Sequence, residues 1–195
     1  MPPAPWPKRC AELKFSPMSQ VRLVPPLLLA AALGACAPTM GPPPPPAFRE
    51  APASATVFRP GDFSWSAVPG SARIEGRLTY RKGQTRYSCQ GQTVVLTPET
   101  PWTRRRMTIL YTSSERAALP VEEVRARTPS APNEDYSSFV RRTTCSADGR
   151  FSFSGLPDGA WFVITVARPA SGQGQSLAIM RRVVTHAGRA VNAEL

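Results

Sequence analysis

Short runs of alternating apolar and polar residues, separated by turns, fill the chain from about residue 62 to the C-terminus. Over 73–80, Ile74, Leu78 and Tyr80 point to one side and charged or polar residues to the other, which is typical of a strand with one buried face. Such strands must cover each other's apolar faces, so the pattern predicts an all-β, antiparallel sandwich. The seven predicted strands are 73–80, 92–97, 139–146, 150–154, 160–168, 175–185 and 189–195.

One helix interrupts the predicted strands. Thr100 followed by Pro101 is typical of a helix N-cap and first turn. The prediction is a short helix over 101–112, with one face formed by Trp102, Arg106, Ile109 and Leu110. Residues 113–137 are predicted to be a loop that is longer than compact domains usually carry, and either a functional cleft or mobile surface chain would account for it.

Residues 148–161 read DGRFSFSGLPDGAW. The opening Asp148-Gly149 is a strong hairpin signal between the third and fourth strands. The whole run resembles the carboxypeptidase regulatory-like domains, which share a prealbumin-like (transthyretin-like) Greek-key sandwich of seven strands. The resemblance covers about residues 72–195 and implies that fold for a domain spanning 62–195. It implies no carboxypeptidase activity, because such domains accompany enzymes rather than perform catalysis.

An apolar run of about a dozen residues follows Arg22 and ends in small residues. This is the layout of a secretory signal, and it is too short to cross a bilayer as a stable helix. Its last residues, Leu33, Gly34, Ala35 and Cys36, resemble the lipobox of bacterial lipoproteins. The resemblance implies a signal peptide over 18–35 and lipid attachment at Cys36. The alternatives are an ordinary cleaved signal with an incidental cysteine, and an uncleaved anchor.

The residue after the cysteine is Ala37 rather than aspartate. By the sorting rule of Gram-negative lipoproteins, the resemblance implies transfer to the outer membrane, with the domain facing the periplasm. The lipid of such a lipoprotein has three acyl chains, which is more than the two membrane-binding groups that stable anchoring requires. We therefore expect the membrane to be a permanent partner. An envelope protein or polysaccharide is the expected further partner, and nucleic acid is not expected at this location.

The remaining N-terminal segments are expected to lie outside the folded domain. Residues 1–17 are rich in proline and look like a mis-assigned start, with translation beginning at Met18. Residues 36–61 are predicted to form a tether. The unbroken run from Pro42 to Pro46 favours the stiff polyproline II conformation, which would hold the domain away from the membrane.

Two cysteines remain once Cys10 and Cys36 are set aside. Cys89 and Cys145 each sit beside a predicted strand. An even pair in an oxidising compartment suggests a disulfide, and the alternative is two unrelated buried thiols.

The chain carries a formal net charge of +11, nearly all of it from arginine. A basic surface attracts anionic lipid, polysaccharide or nucleic acid, although arginine enrichment also follows from a GC-rich genome. The best candidate for an anionic-partner patch is Arg104, Arg105 and Arg106 beside Trp102. The alternative is a solvated helix face.

The other candidate catalytic or binding residues give only weak indications of a site, and no cofactor or metal is expected. His186 is the only histidine, stands in a predicted turn and has no nucleophile elbow near it. The carboxylate pairs Glu122-Glu123 and Glu134-Asp135 fall in the predicted loop, where adjacent charges usually face solvent. Gly172 to Gln175 lacks the lysine of a phosphate-binding loop and looks like a hairpin tip.

Two classes of function fit these features. The favoured class is a non-catalytic cell-envelope lipoprotein whose sandwich binds a partner or braces an envelope assembly. The alternative is an enzyme or enzyme accessory that acts on envelope peptide or glycan and uses the 113–137 loop as part of a cleft.

Overall fold

The computed structural model describes residues 56–186 and 188–195. The predictions for the start region 1–17, the signal peptide, the lipobox, Cys36 and most of the tether therefore lie outside the described residues. Within them, no helix is long and apolar enough to span a membrane.

The described residues form ten strands and two α-helices, together with three 3-10 segments. The strands are β1 Ala72–Arg77, β2 Arg81–Lys82, β3 Thr85–Ser88, β4 Thr93–Pro98, β5 Arg116–Pro120, β6 Arg141–Thr144, β7 Arg150–Leu156, β8 Gly159–Pro169, β9 Leu177–Thr185 and β10 Ala190–Glu194. The helices are α1 Pro101–Tyr111 and α2 Val121–Arg127, and the 3-10 segments are Pro60–Ala67, Thr128–Ser130 and Ser137–Phe139.

The strands form two sheets that pack face to face. The small sheet has the order β10-β1-β7. In the large sheet, the central strand β8 pairs with β4 on one side and with β9 on the other. β6 lies beyond β4, β5 lies beyond β9, and β3 pairs with the C-terminal end of β8. Residues from both sheets meet in one core, which includes Ile74, Phe153, Leu96, Trp161 and Ile179.

All seven predicted strands are present, but the strand count and the purely antiparallel arrangement are wrong. The chain adds three short strands, β2, β3 and β5. In addition, β10 pairs with β1 in parallel, with Ile74 opposite Val191. The parallel pair forms because the chain leaves the large sheet after β9 and enters the small sheet in the direction of β1, and such a pair needs a long connection rather than a hairpin.

The large sheet has a second buried face, covered by the two helices. Met107, Leu110 and Tyr111 of α1 pack there against Phe162 of β8 and Met180 of β9. Because both faces of β8 are buried, its side chains are apolar in both directions, which explains why 160–168 is the most apolar of the seven predicted strands. The molecule is a two-sheet sandwich with an added helical layer.

The predicted helix is confirmed with its cap. The Thr100 hydroxyl accepts a hydrogen bond from the Thr103 backbone N–H at 3.1 Å, and the Thr103 hydroxyl accepts one from the Thr100 N–H at 2.7 Å. Pro101 follows the cap, as expected. The buried face includes Trp102 and Leu110, together with Met107 and Tyr111.

The prediction that 113–137 is an irregular loop is wrong. β5 pairs with β9 as an edge strand, and α2 follows it directly. Val121 and Val124 of α2 pack against the helical-layer core, a three-residue spacing typical of a short amphipathic helix. Pro120 ends β5, and Pro129 lies in the 3-10 segment that follows α2.

The turn at Asp148-Gly149 is present, but the two strands beside it do not pair. Gly149 has a positive φ of 77°, and the Ser146 N–H donates to the Arg150 carbonyl at 2.8 Å. Beyond that contact, β6 joins β4 and β7 joins β1. The turn is therefore a corner between the two sheets rather than the tip of a hairpin.

Candidate anion-binding site

Three arginines line a depression at one end of the sandwich. Arg77 ends β1, Arg81 lies in β2, and Arg86 lies in β3. The depression encloses about 440 Å³, and all three arginines are exposed there. We refer to it as the arginine depression.

Local structure explains how each of the three arginines is oriented. Side chains of β1 alternate, so Arg77 faces outward while Gly76 and Leu78 face the core. β2 and β3 are joined through Gly83, whose φ is +58°, and they place Arg81 directly opposite Arg86. The strands are held to the domain through Tyr87, which is buried and packs edge-on against Tyr80 with ring centroids 5.7 Å apart.

The charge of the depression is almost entirely positive. Asp148 is the only carboxylate among the described residues that line it, and it is bound by Arg150 at 2.8 Å and accepts a hydrogen bond from the Ser146 hydroxyl at 2.6 Å. The hydrogen bond from Ser146 is the main reason that the pKa of Asp148 lies below its ordinary value, with a smaller contribution from Arg150. Asp148 is thus ionised and already neutralised at neutral pH.

Within the part of the chain that the structure describes, Arg77, Arg81 and Arg86 take part in no salt bridge. Many other arginines do: Arg73, Arg104, Arg125, Arg127, Arg150 and Arg182 each face a carboxylate. Other exposed arginines among the described residues also lack a salt bridge, but the depression brings three of them together, and their like charges repel each other until an anion binds.

The predicted disulfide supports the walls of this depression. Cys89, just after β3, is bonded to Cys145, just after β6, with a Cα–Cα distance of 5.7 Å. Both cysteines are buried, and the Cys89 sulfur lies 3.9 Å from the Gly149 carbonyl oxygen. The bond joins the strand that carries Arg86 to the turn that carries Asp148, so the two walls are held together covalently.

The three predicted patch arginines of α1 do not form one surface. Arg104 binds Glu99 at 2.5 Å and the Ser114 hydroxyl at 2.9 Å. Arg106 donates to the Pro132 carbonyl and lies over the Tyr136 ring at 5.6 Å. Arg105 alone is exposed, because successive helix positions point in different directions.

Trp102, expected beside that patch, is completely buried. Its ring packs against Phe58 with centroids 5.1 Å apart and against Tyr136 at the same distance. Phe63 stacks on Phe139 at 4.6 Å and completes an aromatic cluster between the Pro60–Ala67 segment and α1. These contacts make Trp102 a core residue and include Phe58, which precedes the predicted domain boundary at residue 62.

The other candidate residues occupy structural positions. Glu122 pairs with Arg125 at 2.8 Å and Glu123 pairs with Arg127, which is the usual side-chain pairing along a helix. The Ser137 N–H donates to Asp135 at 2.9 Å and lowers the pKa of that carboxyl.

Two remaining candidates lie on the surface. His186 is exposed in the turn after β9, and Glu134 is exposed too. Residues 172–175 connect β8 to β9, as the hairpin interpretation predicts. Among the described residues, no group of histidine, cysteine and acidic side chains could hold a metal ion.

Comparison with known proteins gives only distant likenesses. A candidate carbohydrate-binding protein from Pseudomonas aeruginosa is 17% identical with a TM-score of 0.49, and the match covers 71% of this chain and 97% of that one. The minor pilin of Streptococcus agalactiae is 15% identical with a TM-score of 0.34, covering 66% of this chain and 44% of the pilin. No family model matches the chain, and neither does any curated protein. These likenesses assign neither a ligand nor an activity to this chain.

Sequence reasoning missed the arginine depression, although a signal for its hairpin exists. Tyr80 and Tyr87 flank a short segment in which Gly83-Gln84 can form a two-residue turn. That pattern would have predicted the strands β2 and β3, with Arg81 opposite Arg86. The approach of Arg77 could not be predicted, because it depends on how the two sheets pack.

Proposed function

We propose that this protein is a non-catalytic lipoprotein of the bacterial cell envelope, whose sandwich binds an anionic envelope component in the arginine depression. One observation carries the proposal: Arg77, Arg81 and Arg86 line one depression whose only carboxylate is already neutralised by Arg150. An arginine presents several N–H donors in a planar fork that matches carboxylate and phosphate groups. Three such groups around one hollow favour an anion over any neutral ligand.

The sequence supports the location in the envelope. The apolar run ending at Cys36 favours export and acylation, and Ala37 favours the outer membrane. A disulfide is stable in the oxidising conditions outside the cytoplasm, and Cys89 and Cys145 form one. The acyl chains would hold the sandwich at the membrane while the proline-rich tether extends it toward its ligand.

The binding proposal is tested with the full-length protein in detergent, using polygalacturonate and hyaluronan as acidic glycans and dextran as a neutral one. We expect both acidic glycans to bind more tightly than dextran. Replacing Arg77, Arg81 and Arg86 together by glutamine should weaken that binding at least about tenfold. Raising the salt concentration from about 0.1 M to about 1 M should weaken it as well, because the screening length falls from ~10 Å to ~3 Å.

A matched control variant distinguishes the effect of the three arginines of the depression from the effect of the protein's net charge. Arg59, Arg105 and Arg189 are exposed elsewhere on the described surface, so their triple glutamine variant changes the net charge equally. We expect this variant to bind the acidic glycans nearly as well as the parent. Equal losses in the two triple variants, or equal binding of dextran and the acidic glycans, would exclude the arginine depression as the site.

The anchor is tested with Cys36→Ser in a bacterium that exports the protein. The variant lacks the thiol that receives the lipid, so we expect the precursor to persist uncleaved and to carry no fatty acid. Metabolic labelling with a fatty acid and fractionation of the envelope measure both properties. Normal cleavage and normal outer-membrane recovery of the variant would contradict the lipoprotein proposal.

A further inference from the structure

A second hollow lies beside the arginine depression on the outer face of the small sheet, and encloses about 610 Å³. Strand register arranges its side chains in rows. Glu75 of β1 lies opposite Ser152 of β7 on one side and Asn192 of β10 on the other. In the next row of outward-facing side chains, two residues along β1, Arg77 lies between Arg150 and Glu194. We call this hollow the polar hollow.

The polar hollow has a rigid support. β1 is the middle strand of its sheet and is hydrogen-bonded on both sides, so its outward side chains are held by the sheet rather than by a loop. On the inner side, Gly76 leaves room for the Phe151 ring, since a Cβ at residue 76 would lie 1.9 Å from it. Thr143 and Thr144 of β6 add hydroxyl groups to the lining.

The two hollows adjoin each other. Arg77 lines both of them. Asp148 lines the arginine depression, Arg150 lines the polar hollow, and the two are joined by a salt bridge of 2.8 Å. The main chain from Glu75 to Arg81 can extend at most about 20 Å, so the combined groove could hold several units of a linear polymer.

The chemistry changes along this groove. The arginine depression presents guanidinium groups without free carboxylates. The polar hollow presents both charges, with Glu75 and Glu194 against Arg77 and Arg150, together with hydroxyl and amide groups. Those groups donate and accept hydrogen bonds, which suits neutral sugar hydroxyls. The carboxylate of Glu194, which has no salt-bridge partner among the described residues, would repel a ligand that carries a negative charge on every unit, whereas Glu75 is paired with Arg73 at 3.7 Å.

Resting on the proposed function, we infer that the ligand is an acidic polysaccharide in which charged and neutral sugars alternate. A charged sugar binds in the arginine depression, and a neighbouring neutral sugar binds in the polar hollow against Ser152, Glu75 and Asn192. An acidic protein segment fits less well. The described lining of the polar hollow has no exposed apolar side chain that would anchor a peptide side chain, since Phe151 is buried.

The inference is tested with the full-length protein and four defined probes. A hyaluronan hexasaccharide carries a charge on every second sugar, hexagalacturonate on every sugar and maltohexaose on none, while hexaglutamate is an acidic peptide. We expect hyaluronan hexasaccharide to bind most tightly, by about tenfold or more over each of the others. Isothermal titration calorimetry at fixed salt concentration measures all four.

Variants of the polar hollow sharpen the test. Asn192→Ala with Ser152→Ala removes two hydrogen-bonding side chains and should weaken hyaluronan binding about tenfold while leaving hexagalacturonate nearly unchanged. Glu194→Gln removes the unpaired repelling charge and should bring hexagalacturonate closer to hyaluronan. The exposed residues Asn133 and Ser138 provide the control, as Asn133→Ala with Ser138→Ala should change neither.

The outcomes separate this inference from the proposed function. If the acidic glycans bind through the arginines, but hexagalacturonate equals hyaluronan and the polar-hollow variants have no effect, the alternating-glycan inference is wrong and anion binding stands. If hexaglutamate binds as tightly as hyaluronan, the ligand is an acidic protein. If no acidic probe binds more tightly than maltohexaose, both proposals are wrong.

Discussion

At the scale of single residues, the surroundings decide what a charged or polar side chain does. Arg104 and Arg106 are bound by neighbouring groups, whereas Arg77, Arg81 and Arg86 have no carboxylate partner among the described residues. The residue type is the same in all five cases. The difference comes from which partner groups contact each guanidinium in the fold, and a guanidinium without such contacts is available to bind a ligand.

A second residue-scale consequence concerns Tyr111, the buried last residue of α1. Burial, together with the nearby Tyr136, raises the pKa of its phenol, although Arg106 opposes the shift. Because the folded pKa exceeds the unfolded value of about 10, the phenol's contribution to stability is complete below pH ~10 and is lost as the pH rises further. We expect the free energy of unfolding to fall above pH ~10. Urea unfolding of the parent and of Tyr111→Phe over this range measures it, and an equally steep fall in the variant would assign the effect to other groups.

At the scale of elements, the chain protects its sheet edges and ends its helices with local chemistry. β5 is the edge strand beside β9, and it ends at Pro120, which has no N–H to offer another chain. The Ser113 hydroxyl accepts a hydrogen bond from the Arg116 N–H at 3.2 Å and caps the other end of the strand. These features make β5 a poor site for strand addition.

The C-terminal end of α1 has a residue with an unfavourable backbone conformation. Thr112 has a φ of 56°, in the left-handed region that a β-branched residue rarely adopts. Glycine is free of this strain at a helix end, so Thr112→Gly should raise the free energy of unfolding by about 1 kcal/mol. Thr108→Gly on the exposed side of the same helix should lower it by about 0.3 kcal/mol. Denaturant unfolding compares the two, and a loss of stability in Thr112→Gly would show that its local contacts outweigh the strain.

At the scale of the whole molecule, the small sheet, the large sheet and the helical layer are joined through β8 and β9, which contribute to both cores. The disulfide adds a covalent link at the end where the arginine depression lies. It spans 56 residues of sequence and so restricts the unfolded chain strongly.

Breaking this link gives a whole-molecule prediction. Reduction, or the double variant Cys89→Ala with Cys145→Ala, should lower the free energy of unfolding by about 4 kcal/mol in the chain-entropy model. Anion binding should weaken too, because Arg86 and Asp148 would no longer be held on linked segments. Guanidinium unfolding with and without reductant measures the first effect, and the reductant should leave the double variant unchanged. Unaltered glycan affinity after reduction would show that the walls hold their positions without the bond.

Much of the framework could be predicted from local patterns. The period of two located seven strands, Thr100-Pro101 located the start of α1, and the two spare cysteines predicted their bond. β5 and α2 were missed because a short edge strand and a seven-residue helix carry too few periods to be recognised. Lipidation at Cys36 and the envelope location stay predictions.

The sequence by itself determined where strands and turns form, because alternation, turn chemistry and capping act over a few neighbouring residues. Only the tertiary structure decided that β10 runs parallel to β1, that the corner at Asp148-Gly149 connects two sheets, and that Arg77 meets Arg81 and Arg86. These features depend on which apolar faces cover each other across long stretches of chain, and no local pattern encodes that choice.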